Sequence, residues 1–193
     1  MKKHYEVYLF RHGKTTYNEK EEFTGWRNPP LTKQGREDAA IIAERLKNKK
    51  FGIAIQTRLK RSKDTLKVVL RGHKECKERI TDDRMIERNY GALNQETHLK
   101  IVRQYGIKHY DNWHRGFDVR PPKGESFADV EKRVRPFIRD LKKLIKKEKT
   151  NIAISAHGNS IRLFRKIMKK ASKKEAVDWT IPYDNYETYL IKV

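Results

Sequence analysis

The stretch Asn151-Ile152-Ala153-Ile154-Ser155-Ala156-His157-Gly158-Asn159 decides the fold. Its apolar run is too short for a helix, and it stops at His-Gly. A run apolar on both faces suits a strand covered on both sides by helices. The same arrangement occurs near the start, where Tyr5-Glu6-Val7-Tyr8-Leu9-Phe10 runs into Arg11-His12-Gly13. A further buried strand is expected over residues 51–56, and residues 186–193 close the chain as a strand.

Helical periodicity fills the intervals. Residues 32–47 read as a helix with Thr32 as N-cap and Ala39, Ala40, Ala43 and Leu46 on one face. Residues 61–70 and 160–168 read as two more. Val130, Val134, Phe137, Ile138, Leu141, Leu144 and Ile145 recur at helical spacing, behind a Ser126/Asp129 capping box. Strands alternating with helices predict an α/β fold with a mainly parallel sheet. The whole of 1–193 reads as one domain, with 87–124 as an irregular excursion over the strand ends.

Composition narrows the classes. The chain has 193 residues, 46 Lys plus Arg and 25 Asp plus Glu, for a formal net charge of +21. Charged residues make up 37%, against ~25% in an average soluble chain. No run approaches the ~18 apolar residues of a membrane span. The N-terminus lacks a signal-peptide core, so the chain reads as soluble and cytoplasmic. Its one cysteine, Cys76, excludes an internal disulfide. The charge implies a field that attracts anions, from nucleic acid to small phosphorylated molecules. Many lysines lie in stretches such as Lys142-Lys143-Leu144-Ile145-Lys146-Lys147, where they coat a solvated helix face.

In open α/β sheets ligands bind beyond the carboxyl ends of the strands. His12 and His157 both follow strands, and each is followed by a glycine that lets backbone N–H groups approach an anion. Two such histidines near arginines point to one phosphate-handling pocket.

The residues then resemble a known family. Arg11-His12-Gly13-Lys14-Thr15-Thr16-Tyr17-Asn18 is similar to the signature of the histidine phosphatase superfamily. Phe23-Thr24-Gly25-Trp26, Leu59-Lys60-Arg61-Ser62, Glu87-Arg88-Asn89-Tyr90-Gly91-Ala92-Leu93, Trp113-His114-Arg115-Gly116-Phe117 and Ala156-His157-Gly158-Asn159-Ser160 follow in order. This ordered set resembles the cofactor-dependent phosphoglycerate mutases over nearly the whole chain. The resemblance implies a three-layer α/β/α fold. It also implies interconversion of 3-phosphoglycerate and 2-phosphoglycerate, priming by 2,3-bisphosphoglycerate, and no metal.

By resemblance His12 is the nucleophile, a role open to a neutral imidazole nitrogen. Arg11, Arg61 and His157 match the donors around the transferring group, where fixed charge stabilises the phosphoryl oxygens. Gly13, Thr15, Asn18 and the backbone of Gly158 and Asn159 belong to the same phosphate cradle. Glu87 matches the acid/base residue, with an Arg88 ion-pair partner as the alternative reading. Arg88, Asn89, Tyr90 and Arg115 match positions at the substrate's other anionic end, with Thr24 and Gly25 closing one side. Arg58 reads as surface or supporting.

Three departures from the family pattern are visible. His98 stands where the family usually has a lysine, with Lys100 two residues on. His114-Arg115 replaces paired arginines. A histidine of ordinary pKa ~6.5 is mostly neutral at pH 7, so these two clamps are expected to be pH-dependent. Longer family members also carry an insertion after Pro121-Pro122-Lys123. Its absence leaves a more open site, and the chain a monomer or a homo-oligomer.

Two alternatives remain at this point. A broad phosphomonoesterase would use the same phosphohistidine with water as acceptor. A nucleic-acid binder is suggested by the charge alone. No zinc finger, RNP-like motif or recognition helix supports it, so any such binding is expected to be weak and steeply salt-dependent.

Overall fold

A computed structural model of the chain describes residues 4–192. Val193, expected in the closing strand, lies outside the described residues. Five strands form one sheet: β1 (His4–Arg11), β2 (Ile53–Gln56), β3 (Glu78–Thr81), β4 (Ile152–Ala156) and β5 (Tyr186–Lys192). Their order is β3-β2-β4-β1-β5. The first four are mutually parallel, and β5 runs antiparallel along β1.

The alternation of side chains along the strands builds two cores. Val7, Leu9, Ile53, Ile55, Ile152 and Ile154 face one side. There they meet Val130, Val134 and Phe137 of α6 (Phe127–Glu148) and Ile161 and Phe164 of α7 (Gly158–Lys169). Tyr8, Phe10, Ala54 and Ala153 face the other side. They meet Ile42 and Leu46 of α2 (Lys33–Leu46) and Leu66 and Val69 of α3 (Lys60–Val69). Helices on both faces give the expected three-layer α/β/α arrangement. Each fully buried aliphatic or Phe side chain contributes roughly 1.5–3 kcal/mol of transfer free energy, so the two cores supply most of the drive to fold.

The expected caps are present. Thr32 accepts from the Gly35 N–H at 2.9 Å. Ser126 and Asp129 form a reciprocal capping box at the start of α6. The face of α2 differs from expectation. Gly35, Asp38, Ala39, Ile42 and Leu46 are buried and Ala40 is exposed, because the true i, i+3, i+4 stripe runs through Ile42. The β2 strand starts at Ile53, with Phe51 buried just before it.

The excursion holds α4 (His98–Tyr105) and α5 (Ile107–Arg115). Phe23, Tyr90, Leu93 and Ile101 form a small core of their own, flanked by Tyr110 and Trp113. Three elements had no reading in the sequence: α1 (Thr16–Glu19), β3, and α8 (Lys173–Asp178). No helix among the described residues is long and apolar enough to cross a membrane.

Candidate active site

Neighbouring strands bring the two histidines together. Arg11 of β1 pairs with Ala156 of β4, and the His12 N–H donates to the Ala156 carbonyl at 3.1 Å. His12 and His157 therefore leave the sheet side by side, with ring centroids 5.1 Å apart. Both are buried.

His12 is held in one tautomer. Its Nδ1 lies 2.8 Å from the Gly13 carbonyl. A carbonyl only accepts, so Nδ1 carries the proton and Nε2 keeps its lone pair. Arg61 Nε donates to that Nε2 at 3.1 Å. Burial, then the Arg61 and Arg11 cations, hold the His12 pKa well below the usual histidine range. The ring is thus neutral at physiological pH, with the lone pair on Nε2.

Arg61 is fixed on every side. Nη1 donates to the Arg27 carbonyl at 2.7 Å and Nη2 to the Gly25 carbonyl at 2.8 Å. Burial first, with Arg11 adding and Glu87 opposing, lowers its pKa to about 10, so it stays a cation. Its helix is tied to the sheet by a reciprocal pair: Ser62 Oγ donates to the Ser155 carbonyl at 2.8 Å, and Ser155 Oγ to the Ser62 carbonyl at 3.0 Å. Gly13 packs against Gly35 so closely that a Cβ there would lie 2.0 Å from the Gly35 oxygen.

His157 Nε2 is 2.8 Å from Thr57 Oγ1. Its pKa is also far below the usual range, from burial first and then Arg61 and His12. The Arg11 guanidinium sits 3.9 Å from the Tyr183 ring centroid and donates to the Ile181 carbonyl at 3.1 Å. Arg11 Nε and His157 Nδ1 are buried polar atoms without a partner among the described residues.

Glu87 accepts at Oε1 from the Arg88 N–H at 2.8 Å and from the Asn159 N–H at 3.1 Å. Asn159 stands in the first turn of α7, where N–H groups lack helical partners and are free for a side-chain acceptor. Trp26 Nε1 and Arg133 Nη2 both donate to the Glu87 carbonyl, at 2.8 and 3.1 Å. The Arg88 guanidinium points away: Nη2 donates to the Trp113 and His114 carbonyls.

A cavity of about 270 Å³ opens over these groups. Arg11, His12, Asn18, Thr24, Gly25, Arg61, Glu87, Tyr90, His98, His114, Arg115, Gly158 and Asn159 line it. Five expected residues stand behind that wall. His157 stands beside His12 and is 0% exposed. Gly13 donates its N–H to Thr65 Oγ1 at 3.0 Å. Thr15 is the N-cap of α1 and holds Asn18, whose Oδ1 lies 2.8 Å from Thr15 Oγ1. Asn89 folds the turn, its Oδ1 accepting from the Gly91 N–H at 2.9 Å. Arg88, expected at the substrate's far end, is instead 0% exposed, wedged between the Tyr90 and Phe127 rings. The Asn159 amide, expected in the phosphate cradle, is given to Glu87. Arg58 pairs with Asp83 at the surface, as expected.

Burial works against the expected pH-dependence of the histidine clamps. The pKa of His114 falls to about 2, from burial first and then the Arg115 cation. That of His98 is also lowered, by burial against an opposing Glu21. Both are neutral across the physiological range. The cavity wall also contains Glu21, Glu22, Phe23, Arg162 and Tyr183, which the sequence reading missed. Arg162 had a signal: it stands four residues after Gly158 on one helix, hence on the same face. Tyr183 lies in irregular chain and had none.

Comparison with known proteins identifies the family. The family model described as the histidine phosphatase superfamily (branch 1) matches residues 7–193. A phosphoglycerate mutase of Schizosaccharomyces pombe is 35% identical over 159 residues, covering 80% of this chain and 74% of that protein. A 2,3-bisphosphoglycerate-dependent phosphoglycerate mutase of Parvibaculum lavamentivorans is 34% identical over 175 residues, covering 88% and 82%. The α-ribazole phosphatase of Shigella flexneri shares the fold, with TM-score 0.81 over 95% of this chain and 89% of that one at 22% identity.

Proposed function

This chain belongs to the histidine phosphatase superfamily, and from that premise we propose that it interconverts 3-phosphoglycerate and 2-phosphoglycerate through a phosphorylated His12. The observation that carries the reading is one cavity lined by two sets of cations with a carboxyl group: Arg11 and Arg61 with His12, Arg115 and Arg162 elsewhere on the wall, and Glu87. A substrate with a phosphate, a hydroxyl and a carboxylate needs each of these. The reading places the enzyme in the cytoplasm, in glycolysis and gluconeogenesis.

The His12 Nε2 lone pair attacks phosphorus while the bond from phosphorus to the substrate oxygen breaks. Arg61 shifts its Nε–H from Nε2 to a phosphoryl oxygen, and Arg11 supplies a second fixed donor. Glu87 gives the leaving oxygen its proton, then takes one from the hydroxyl that attacks in the return step. Arg11 lines the cavity with its Nε unpartnered, a donor left for a phosphate oxygen, while the buried His157 stands next to His12. With Arg61, Arg115 and Arg162 the donor set suits a bisphosphorylated acid. Bound there, 2,3-bisphosphoglycerate supplies the phosphoryl group that charges His12.

A second reading, phosphomonoesterase activity, is favoured by the neutral His98 and His114 and by Glu21 and Glu22 on the wall. All four weaken the hold on a second anionic group. One assay separates the two. On 3-phosphoglycerate, with and without 2,3-bisphosphoglycerate, the mutase forms 2-phosphoglycerate in a primer-dependent way. Release of inorganic phosphate with no 2-phosphoglycerate would replace it by the phosphatase.

A further inference from the structure

Arg162 lies on α7, and its Nε donates to the Trp179 carbonyl at 2.8 Å and its Nη1 to Asn159 Oδ1 at 2.9 Å. Nη2 makes no hydrogen bond among the described residues, and the residue lines the cavity. Burial lowers its pKa to about 10, with Arg115 adding and Glu87 opposing, so it remains charged. Asn159 links it to Glu87, since the Asn159 N–H donates to Glu87 Oε1.

Charge on the cavity wall is unevenly used. Arg61 spends all three nitrogens on His12 and two carbonyls. Arg88 is buried behind the wall, and His98 and His114 are neutral. Arg115 has one nitrogen tied to the Val177 carbonyl at 2.9 Å. In 3-phosphoglycerate the hydroxyl served by Glu87 is on the carbon bonded to the carboxylate. The anchor for that carboxylate must therefore lie beside Glu87, where Asn159 holds Arg162.

We propose that Arg162 binds the substrate carboxylate through its free Nη2, with Arg115, and so selects carboxylated phosphate esters over those without a carboxylate. The assignment rests on the proposed function, and it gives a permanent cation to the subsite that His98 and His114 leave neutral. The guanidinium is pre-set by two hydrogen bonds, so little side-chain entropy is lost on binding.

The test compares dissociation constants for 3-phosphoglycerate and glycerol 3-phosphate, which lacks the carboxylate, by calorimetric titration without 2,3-bisphosphoglycerate. The parent is expected to bind 3-phosphoglycerate the more tightly. Arg162→Gln should weaken 3-phosphoglycerate roughly 10- to 150-fold, the range of one charge-assisted hydrogen bond, and glycerol 3-phosphate less than about threefold. Arg162→Lys keeps the charge without the fork, so it should lose part of the discrimination; it carries the same comparison if the Gln variant fails to fold. Equal weakening of both ligands would reduce Arg162 to a support for α7 and overturn the proposal alone. A parent that binds both ligands equally would overturn the functional reading together with it.

Discussion

Arg61 Nε lies 3.1 Å from His12 Nε2, so the lone pair of the proposed nucleophile is already engaged by the cation proposed to meet the phosphoryl group. The contact aims the ring and excludes its protonation, because an N–H cannot face an N–H. Arg61 is pinned by the Arg27 and Gly25 carbonyls, so its handover is a pivot of Nε and not a swing of the whole side chain.

His12→Ala should abolish both mutase and phosphatase activity, since His157, the neighbouring imidazole, stands behind the wall. Incubation with 2,3-bisphosphoglycerate should leave acid-labile phosphate on the parent and none on the variant. Label persisting in the variant would move the nucleophile elsewhere.

Glu87→Gln keeps the shape and the acceptor for the Asn159 N–H but removes the exchangeable proton. General acid–base help is worth ~10²–10⁴-fold, so turnover should fall by that much while KM stays nearly unchanged. A kcat within threefold of the parent would leave Glu87 only its contacts to Arg88 and Asn159.

Acid should destabilise the fold through its buried histidines. His12, His98, His114 and His157 all have pKa values below the ordinary 6.5. The unfolded chain gains protons below that pH and the folded one does not. Stability from these groups is therefore full above about pH 6.5 and lost as pH falls, at about 1.4 kcal/mol per unit for each strongly shifted group. The Tm of His114→Phe should drop less between pH 7.5 and 5.5 than that of the parent. Equal drops would mean that His114 protonates freely when folded.

The KM for 3-phosphoglycerate should show no histidine titration between pH 6 and 7.5. Only the substrate phosphate, titrating near about pH 6, should bend the curve. His98→Gln should give a parallel curve. A parent KM that fell towards pH 6, with a flat variant, would restore a charged His98 to the clamp.

What was legible in the sequence follows burial. β1 and β4 are covered on both faces, so Val7 to Phe10 and Ile152 to Ala156 stand out as apolar runs. α6 combines a cap at Ser126 with a long apolar stripe. β3 is an edge strand of Glu78-Arg79-Ile80-Thr81, exposed enough to look like loop. The site divides in the same way. His12, Arg61 and Glu87 sit in motifs with fixed neighbours. Arg88 reads as a clamp because it matches a family position, yet its guanidinium runs to the Trp113 and His114 carbonyls and away from the cavity. The neutrality of His98 and His114 comes from Phe23, Tyr110 and Arg115 closing around them, contacts that no local pattern contains.

The pairing of β1 with β4 sets when the protein can first work. His12 is made well before His157, and the two meet only when the last parallel strand inserts beside the first. Contacts between residues so far apart in sequence form slowly, because loop closure must precede any gain from them. A nascent chain stopped before Ala156 can hold neither the imidazole pair nor the α7 turn beneath Glu87. Catalytic activity should then appear as one late event in refolding, after the helical signal has largely recovered.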